Sequence, residues 1–308
     1  MFKIQPPTES FAHVPPSAAR AELWLPRTSL ASCVRAIISR DTRGAVLLDE
    51  QRYNHLPASP VCSILWYLSG QCDVLDAGFP ADGASPRSPI GPITFCGPYN
   101  RPAISWNPGP MHAMVLLLLP DALSALTGID PGAHLNRCQP AEAVLDPAWM
   151  AMCHAVATAP DDDSRVKLIE SFLLPLWSQA RPEQGVCSQI YTDWSQGLAL
   201  RAATSGWGRS VRQIERRIKQ WTGQPLRELR GLGRSEQAFY DAVVASRSGD
   251  VNWSEVASKS GYADQSHLCR QTRQITGFSP EELRRRIFAD ESFWAYRLWG
   301  FSEGHLPR

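Results

Sequence analysis

Residues 210–230 read SVRQIERRIKQWTGQPLRELR, and from Asp264 the chain nearly repeats itself as DQSHLCRQTRQITGFSPEELRRR. Setting Gly223 on Gly277 gives an offset of 54 residues, at which Arg216 falls on Arg270, Ile214 on Leu268, Gln220 on Gln274 and Thr222 on Thr276. Each copy opens on a short oxygen-bearing residue, Ser210 or Asp264, suited to accept the free N–H groups of a first helical turn. Each closes on Thr-Gly, where glycine takes the left-handed conformation that ends a helix.

A second helix precedes each copy. NWSEVASKS, from Asn252, stops at Gly261, and the stretch around Leu198 to Ala203 leads into SGWGR. A helix, a glycine-bearing turn and a second capped helix make a helix-turn-helix. Ile214, Ile218 and Trp221 fall on the inner face of the first copy, and Leu268 and Ile275 on that of the second. Arg212, Arg216 and Lys219 then lie on the open face of one helix, and Gln265, Ser266, Cys269 and Arg270 on that of the other. Arginine pairs with guanine and glutamine with adenine in the major groove, so double-stranded DNA is the partner this pattern implies. About 20 residues separate the copies, roughly 30 Å as helix. That approximates the ~34 Å between successive major-groove faces on one side of a duplex.

The whole chain of 308 residues is long enough for two domains, with 44% apolar and 20% charged residues. The net charge of +1 conceals an asymmetry. Residues 1–187 carry 13 basic against 17 acidic residues and residues 188–308 carry 18 against 13, so only the second part suits a polyanion. No apolar run is long enough to span a bilayer, and MFKIQPPTESFAHVPP lacks the apolar stretch of a signal peptide, so a cytoplasmic location is expected. The eight cysteines form no C-x-x-C pair, and most read as small buried hydrophobes. The histidines show no metal-binding spacing, and neither metal nor cofactor is expected; His55, His112 and His134 read as core or surface residues.

From Leu30 to Leu119 short apolar runs alternate with Pro, Gly and Asn. AVLL at Ala45, VCSILWYL at Val61, PITFC at Pro92, AISW at Ala103 and MVLLLL at Met114 suit strands of an antiparallel sandwich or small barrel. Helices follow: DALSALTG, with Asp121 at its start; Pro147 to Ala159; and Asp161 to Ala180, where Pro175 is expected to introduce a kink. The stripe Val166, Ile169, Phe172, Leu173, Leu176 and Trp177 packs either on its own sheet or on a second subunit, which leaves a homodimer open.

The stretch WSEVASKSGYADQSHLCRQTRQITGFSPEEL, with G-Y-x-D-x-S-x-L-x-R and T-G-x-S-P, resembles the AraC/XylS transcription regulators over roughly residues 188–286. The resemblance implies two helix-turn-helix units joined by a long helix, and contacts to bases and phosphates from Arg212, Glu215, Arg216, Gln265, Ser266, Cys269 and Arg270. Three features depart from the pattern. Thr272 replaces a large apolar residue, the first copy is one residue shorter after its glycine, and Gly231 and Gly233 stand inside the connecting helix, each weakening it by about 1 kcal/mol. PDALSALTGIDPGAHLNRCQPAEAVL is similar to the cupin-like domains that precede the DNA-binding part in some of these regulators, implying an effector-binding or dimerising role. Trp66, Phe95, Tyr99 and Trp106 could line its pocket or fill a sandwich core.

The expected fold is therefore α+β: a cupin-like β-sandwich or barrel with trailing helices over 1–180, a linker at 181–187, an all-α double helix-turn-helix domain over 188–288, and an aromatic tail over 289–308. ESFWAYRLWGF, from Glu291, is expected to dock on the protein itself or to meet a partner such as RNA polymerase. Oxidation of Cys269, beside Arg270, would place a bulkier group on the DNA face. The rival reading is an enzyme or DNA-repair activity in the N-terminal half, held on DNA by the basic half, as in alkyl-transfer proteins with a four-cysteine zinc site.

Overall fold

The computed structural model describes residues 1–4, 19–75, 86–181, 190–205, 210–246 and 249–302. Its N-terminal half is built from two antiparallel sheets. The larger runs in the order β1 (Phe2–Ile4), β2 (Arg20–Leu25), β3 (Val34–Asp41), β10 (His112–Leu118), β5 (Cys62–Ser69), β8 (Ile93–Cys96) and β11 (Cys138–Pro140). The smaller runs β4 (Tyr53–Leu56), β9 (Ala103–Trp106), β6 (Asp73–Leu75) and β7 (Arg87–Pro89).

Period-two alternation sorts the side chains of the larger sheet. Cys62, Ile64 and Trp66 of β5, with Met114, Leu116 and Leu118 of β10, share a core with α2 (Pro147–Thr158) and α3 (Asp162–Ala180). Val166, Ile169, Leu173 and Trp177 of α3 lie in that core, while Leu176 stays exposed. Phe172 packs against the same core, so the α3 stripe serves its own sheet through five of its six residues. The alternate residues, among them Leu65, Tyr67, Val115 and Leu117, face a cavity.

The C-terminal half is all α: α4 (Tyr191–Thr204) and α5 (Val211–Thr222) form one helix-turn-helix, α7 (Trp253–Lys259) and α8 (Gln265–Thr276) a second, and α6 (Leu226–Ser246) connects them. Two further helices, α9 (Pro280–Ala289) and α10 (Trp294–Ser302), follow. The α+β class and its order match the expectation. Residues 182–187 of the expected linker lie outside the described residues. Among the described residues no helix is long and apolar enough to cross a membrane.

Two local expectations are corrected, at Ala45–Leu48 and at the glycines of α6. Ala45–Leu48 forms no strand; Val46 is fully exposed there, because no apolar face awaits it. The first helix, α1 (Pro120–Thr127), takes Leu119 as its N-cap. Asp121 stands in its first turn, as expected, and is buried there, accepting from Trp194 Nε1 at 3.0 Å while pairing with Arg201 at 2.9 Å, which ties α1 to α4. Helix α3 runs through Pro175 with its ends at Asp162 and Ala180. Gly231 and Gly233 act by close approach rather than as weak points. A Cβ on Gly231 would lie 2.4 Å from Gln271 Nε2, and one on Gly233 would lie 2.7 Å from Thr192 Oγ1 and 2.9 Å from Thr192 N. Gly233→Ala is therefore expected to lower stability by about 1–2 kcal/mol, despite the ~1 kcal/mol that alanine adds in a helix, because Thr192 backbone cannot give way. Urea denaturation, with Gly91→Ala as the uncrowded control, measures it.

The two halves share a continuous interior. Ile218 of α5, with Leu226 and Leu229 of α6, joins the apolar cluster of the larger sheet, and Ala58 N–H donates to Ile275 O of α8 at 2.8 Å. The aromatic tail docks inside the molecule: Trp294 Nε1 donates to Asn54 Oδ1 at 2.8 Å, Arg40 of β3 pairs with Glu291, and Phe293 stacks on His55 at 4.6 Å. Burial, then the charge of Arg286, lowers the His55 imidazole to about 4 from the usual 6.5. The unfolded chain takes up that proton before the folded one, so stability rises with pH between about 4 and 6.5, by up to roughly 3 kcal/mol. His55→Phe is expected to flatten that part of a urea-midpoint profile and leave the neutral plateau in place.

Candidate nucleic-acid interface

Both second helices are set by the same local devices. Ser210 accepts from Gln213 N–H, whose side chain returns to Ser210 N–H, and α5 ends at Gly223 with φ +75. Asp264 accepts from His267 N–H at 2.6 Å, and α8 ends at Gly277 with φ +87. Apolar anchors hold each inner face: Ile218 and Leu268 are fully buried, with Ile214, Trp221 and Ile275 beside them.

Arg212, Arg216 and Lys219 are exposed on α5, and Arg270 is exposed on α8. Among the described residues none of the four pairs with a carboxylate. The arginines of α9 differ: Arg284 pairs with Glu281, and Arg285 and Arg286 pair with Glu282. Charge on α9 is thus neutralised within one helix, while α5 and α8 present guanidinium and ammonium donors to solvent. Gln265 and Ser266 are exposed on the first turn of α8, where Gln265 Oε1 accepts from Ser254 Oγ at 3.1 Å, leaving its amide N–H groups outward. Cys269 is half-buried. Glu215 is drawn inward: its Oε2 accepts from Leu226 N–H at 3.3 Å, at the first turn of α6, where a carboxylate is favoured.

A cavity of 370 Å³ lies between the sheets and the helical half. Leu65, Val115, Ile104 and Leu232 give it an apolar wall, and Tyr191, Phe239 and Trp299 bring α4, α6 and α10 to it. Of the four aromatic residues considered for a pocket, Tyr99 lines it. Trp66 and Phe95 stand on the helix-facing side of the larger sheet, Trp66 donating to Cys153 O of α2 at 3.0 Å. Trp106 lies under the Arg87 guanidinium at 3.9 Å and is not part of the wall. Strand alternation decides this, and it depends on a register that residue type alone does not report.

Arg35, on β3, is a cavity residue with no motif to announce it. It is buried between the rings of Tyr191 and Trp299, at 4.8 and 4.9 Å, and Nη2 donates to Glu236 Oε1 of α6 at 2.6 Å. Glu236 Oε2 accepts from Tyr191 N–H at 2.7 Å; burial pushes its carboxyl above the ordinary value. Arg35 Nε has no hydrogen-bond partner among the described residues.

Ser39, His112 and Asp162 converge in the N-terminal half without forming a nucleophile relay. Ser39 Oγ donates to Asp162 Oδ2 at 2.6 Å, and both oxygens sit on the same imidazole nitrogen, Nε2, at 3.3 and 3.1 Å. In a relay the two partners occupy opposite nitrogens. Although burial pushes its carboxyl up, hydrogen bonds from His112 and Ser39 hold Asp162 at about 2, and the group pins α3 to β3 and β10. Among the described residues no cluster of three His, Cys, Asp or Glu side chains could hold a metal ion.

The family model described as a helix-turn-helix domain matches residues 205–286. No curated protein matches the chain. Among solved structures, ToxT from Vibrio cholerae is similar at 13% identity and a TM-score of 0.34, over 75% of this chain and 93% of that one. A second ToxT structure, bound to an unsaturated fatty acid, shows 11% identity and a TM-score of 0.33 over 77% and 95% of the two chains.

Proposed function

We propose that this chain, whose residues 205–286 match the helix-turn-helix family model, is a sequence-specific transcription regulator of AraC type that seats α5 and α8 in successive major-groove segments of duplex DNA. The unpaired cations at matching positions of α5 and α8, set against the neutralised arginines of α9, carry this reading. Arg212, Arg216, Gln265 and Arg270 take base edges, while Lys219 and Ser266 take base or phosphate. Cys269 borders the same face, and Glu215 orders α6. The 21-residue α6, about 31 Å long at ~1.5 Å per residue, sets the separation of the two readers. Titration of duplex DNA at several salt concentrations tests the reading. The logarithm of the affinity should fall steeply with that of salt, and each neutralised cation should reduce the slope by about 1. Salt-independent binding, or none, contradicts it.

The cavity is the control site of this reading. Its apolar wall and the spare Arg35 Nε–H suit a small molecule with an apolar body and one hydrogen-bond-accepting end. Its wall includes Tyr191, Leu232 and Glu236, so occupancy bears directly on α4 and on the connecting helix. Anilinonaphthalene sulfonate has the required shape. It is expected to bind the full chain at a single site with strong fluorescence, and Val115→Trp, which fills the cavity, abolishes that signal. An undiminished signal in the variant would place the site elsewhere. A second copy of the chain and RNA polymerase are the remaining partners of this reading, and sedimentation of the full chain tests the first.

A further inference from the structure

We infer that Cys96 and Cys138 form a thiol–disulfide switch that senses peroxide and governs how firmly the first helix-turn-helix is seated; its effect on DNA rests on the function proposed above. The two cysteines face each other across the β8–β11 pair, 42 residues apart in sequence, and are joined as a disulfide. Cys96 is buried and Cys138 half-buried on β11, the outermost strand of its sheet, and both border the cavity. An edge position lets a small oxidant or a dithiol reach the pair without opening the core.

Two routes lead from the pair to the first helix-turn-helix. The segment just before Cys138 is clasped to the β8 side: Gly97 N–H donates to Arg137 O at 3.0 Å and Asn136 N–H to Pro98 O at 2.8 Å. Gly97 lies so close to His134 that a Cβ there would stand 2.1 Å from His134 O. The same segment contains the turn Pro131–His134, on which α5 rests. Gly132 meets Gly223, the C-cap of α5, so closely that a Cβ on Gly223 would lie 2.7 Å from Gly132 N. The second route runs through Tyr99, whose hydroxyl is 3.3 Å from Cys138 Sγ. Tyr99 exchanges backbone hydrogen bonds with Ser59, and Ser59 Oγ is 3.1 Å from the Tyr191 hydroxyl at the start of α4. The disulfide thus staples the platform beneath both helices of one reader. The α7–α8 unit meets this platform only at its far end among the described residues, where Ile275 O accepts from Ala58 N–H, and the first turns of α8 lie outside it.

Formation of the bond balances with hydrogen peroxide. One thiolate sulfur attacks a peroxide oxygen and gives a sulfenic acid, and the hydroxide expelled takes up the proton the thiol had lost, leaving as one water. The second thiol attacks that sulfur, the S–S bond forms, and the hydroxyl leaves with a proton as a second water. A dithiol reductant returns the two electrons and two protons. The Tyr99 hydroxyl is placed to donate to the Cys138 thiolate when the bond is open.

The test uses the full chain in three states: reduced with dithiothreitol, oxidised with peroxide, and as the Cys96→Ser/Cys138→Ser double variant. Non-reducing peptide mapping should show a single Cys96–Cys138 link in the oxidised protein and none in the reduced one. Amide hydrogen exchange over 131–140 and 219–224 should speed up by about tenfold or more on reduction, with the first turns of α8, 265–271, unchanged. Affinity for a duplex carrying sites for both readers should fall on reduction, and the double variant should behave as reduced wild type whatever the oxidant. Equal exchange in the two wild-type states would overturn the switch, and that arm stands even if the variant does not fold. A double variant that still responds to peroxide would also overturn it, moving the sensor to Cys269. Absence of DNA binding in every state, with the exchange difference intact, would count against the regulator and not against the switch.

Discussion

Arg35→Met is expected to cost about 3–5 kcal/mol of unfolding free energy, the range for a buried ion pair that loses one partner. Arg35 and Glu236 are 95% and 89% buried at the side chain, so neither is screened by solvent to any useful degree. The methionine fills the volume between the rings of Tyr191 and Trp299 but leaves the Glu236 carboxylate facing an apolar cavity. Glu236 already sits above its ordinary value because of burial, and without Arg35 it rises further. The folded variant then holds a proton that the unfolded chain releases above about pH 4.5, so its deficit grows with rising pH from that point. Adding Glu236→Leu should recover most of the loss, because an apolar pair of similar volume carries no uncompensated charge. The recovery is incomplete, since Tyr191 N–H loses its acceptor at the start of α4. Urea denaturation of the single and double variants between pH 5 and 8 checks the sign and the coupling. A small, pH-independent effect of Arg35→Met would remove the ion pair from the account of how β3 holds α6.

Arg216→Ala and Arg270→Ala should each weaken binding to the preferred duplex by about 1–3 kcal/mol, roughly 5- to 150-fold, and each should relax specificity at one base position. Both guanidiniums are exposed and, among the described residues, pair with no carboxylate, so binding breaks no ion pair there. Their losses should add, because they belong to different readers and share no partner. Lys219→Ala provides the contrast: an ammonium on phosphate weakens all sequences evenly and lowers the salt slope by about 1. Glu215→Ala should leave specificity alone and cost about 0.5–1 kcal/mol of stability, because its carboxylate serves Leu226 N–H at the entry to α6. Affinities of the four variants against duplexes substituted one base at a time separate these outcomes.

Much of the helix-turn-helix half was legible in residues 210–230 and 264–286. Caps, apolar spacing and terminal glycines are local devices, and local devices survive in a one-dimensional string: Ser210, Asp264, Gly223 and Gly277 all act where their neighbours imply. The sheets were legible as apolar runs, but their faces were not. Trp66 and Phe95 resemble pocket residues in composition, and only the register of β5 against β8 and β10 turns them toward α2 and α3. Gly231 and Gly233 were misread for a related reason. A glycine inside a helix signals weakness when the helix is considered alone and close packing once Thr192 and Gln271 are placed against it. Asp121 was legible at its helix start, but its partners Trp194 and Arg201, more than 70 residues away, were not. Arg35 and Glu236, 201 residues apart, and the Cys96–Cys138 pair bear no motif at all. Long-range partners of this kind become visible only when the chain is folded.

Selection of tight binders by the full chain from a pool of random duplexes, at two salt concentrations, tests the central claim most directly. The account predicts enrichment of two short boxes about one helical turn apart, with Arg216→Ala erasing preference in one box and Arg270→Ala in the other. Salt-sensitive capture with no enriched sequence would contradict it, leaving α5 and α8 as holders of DNA that read nothing.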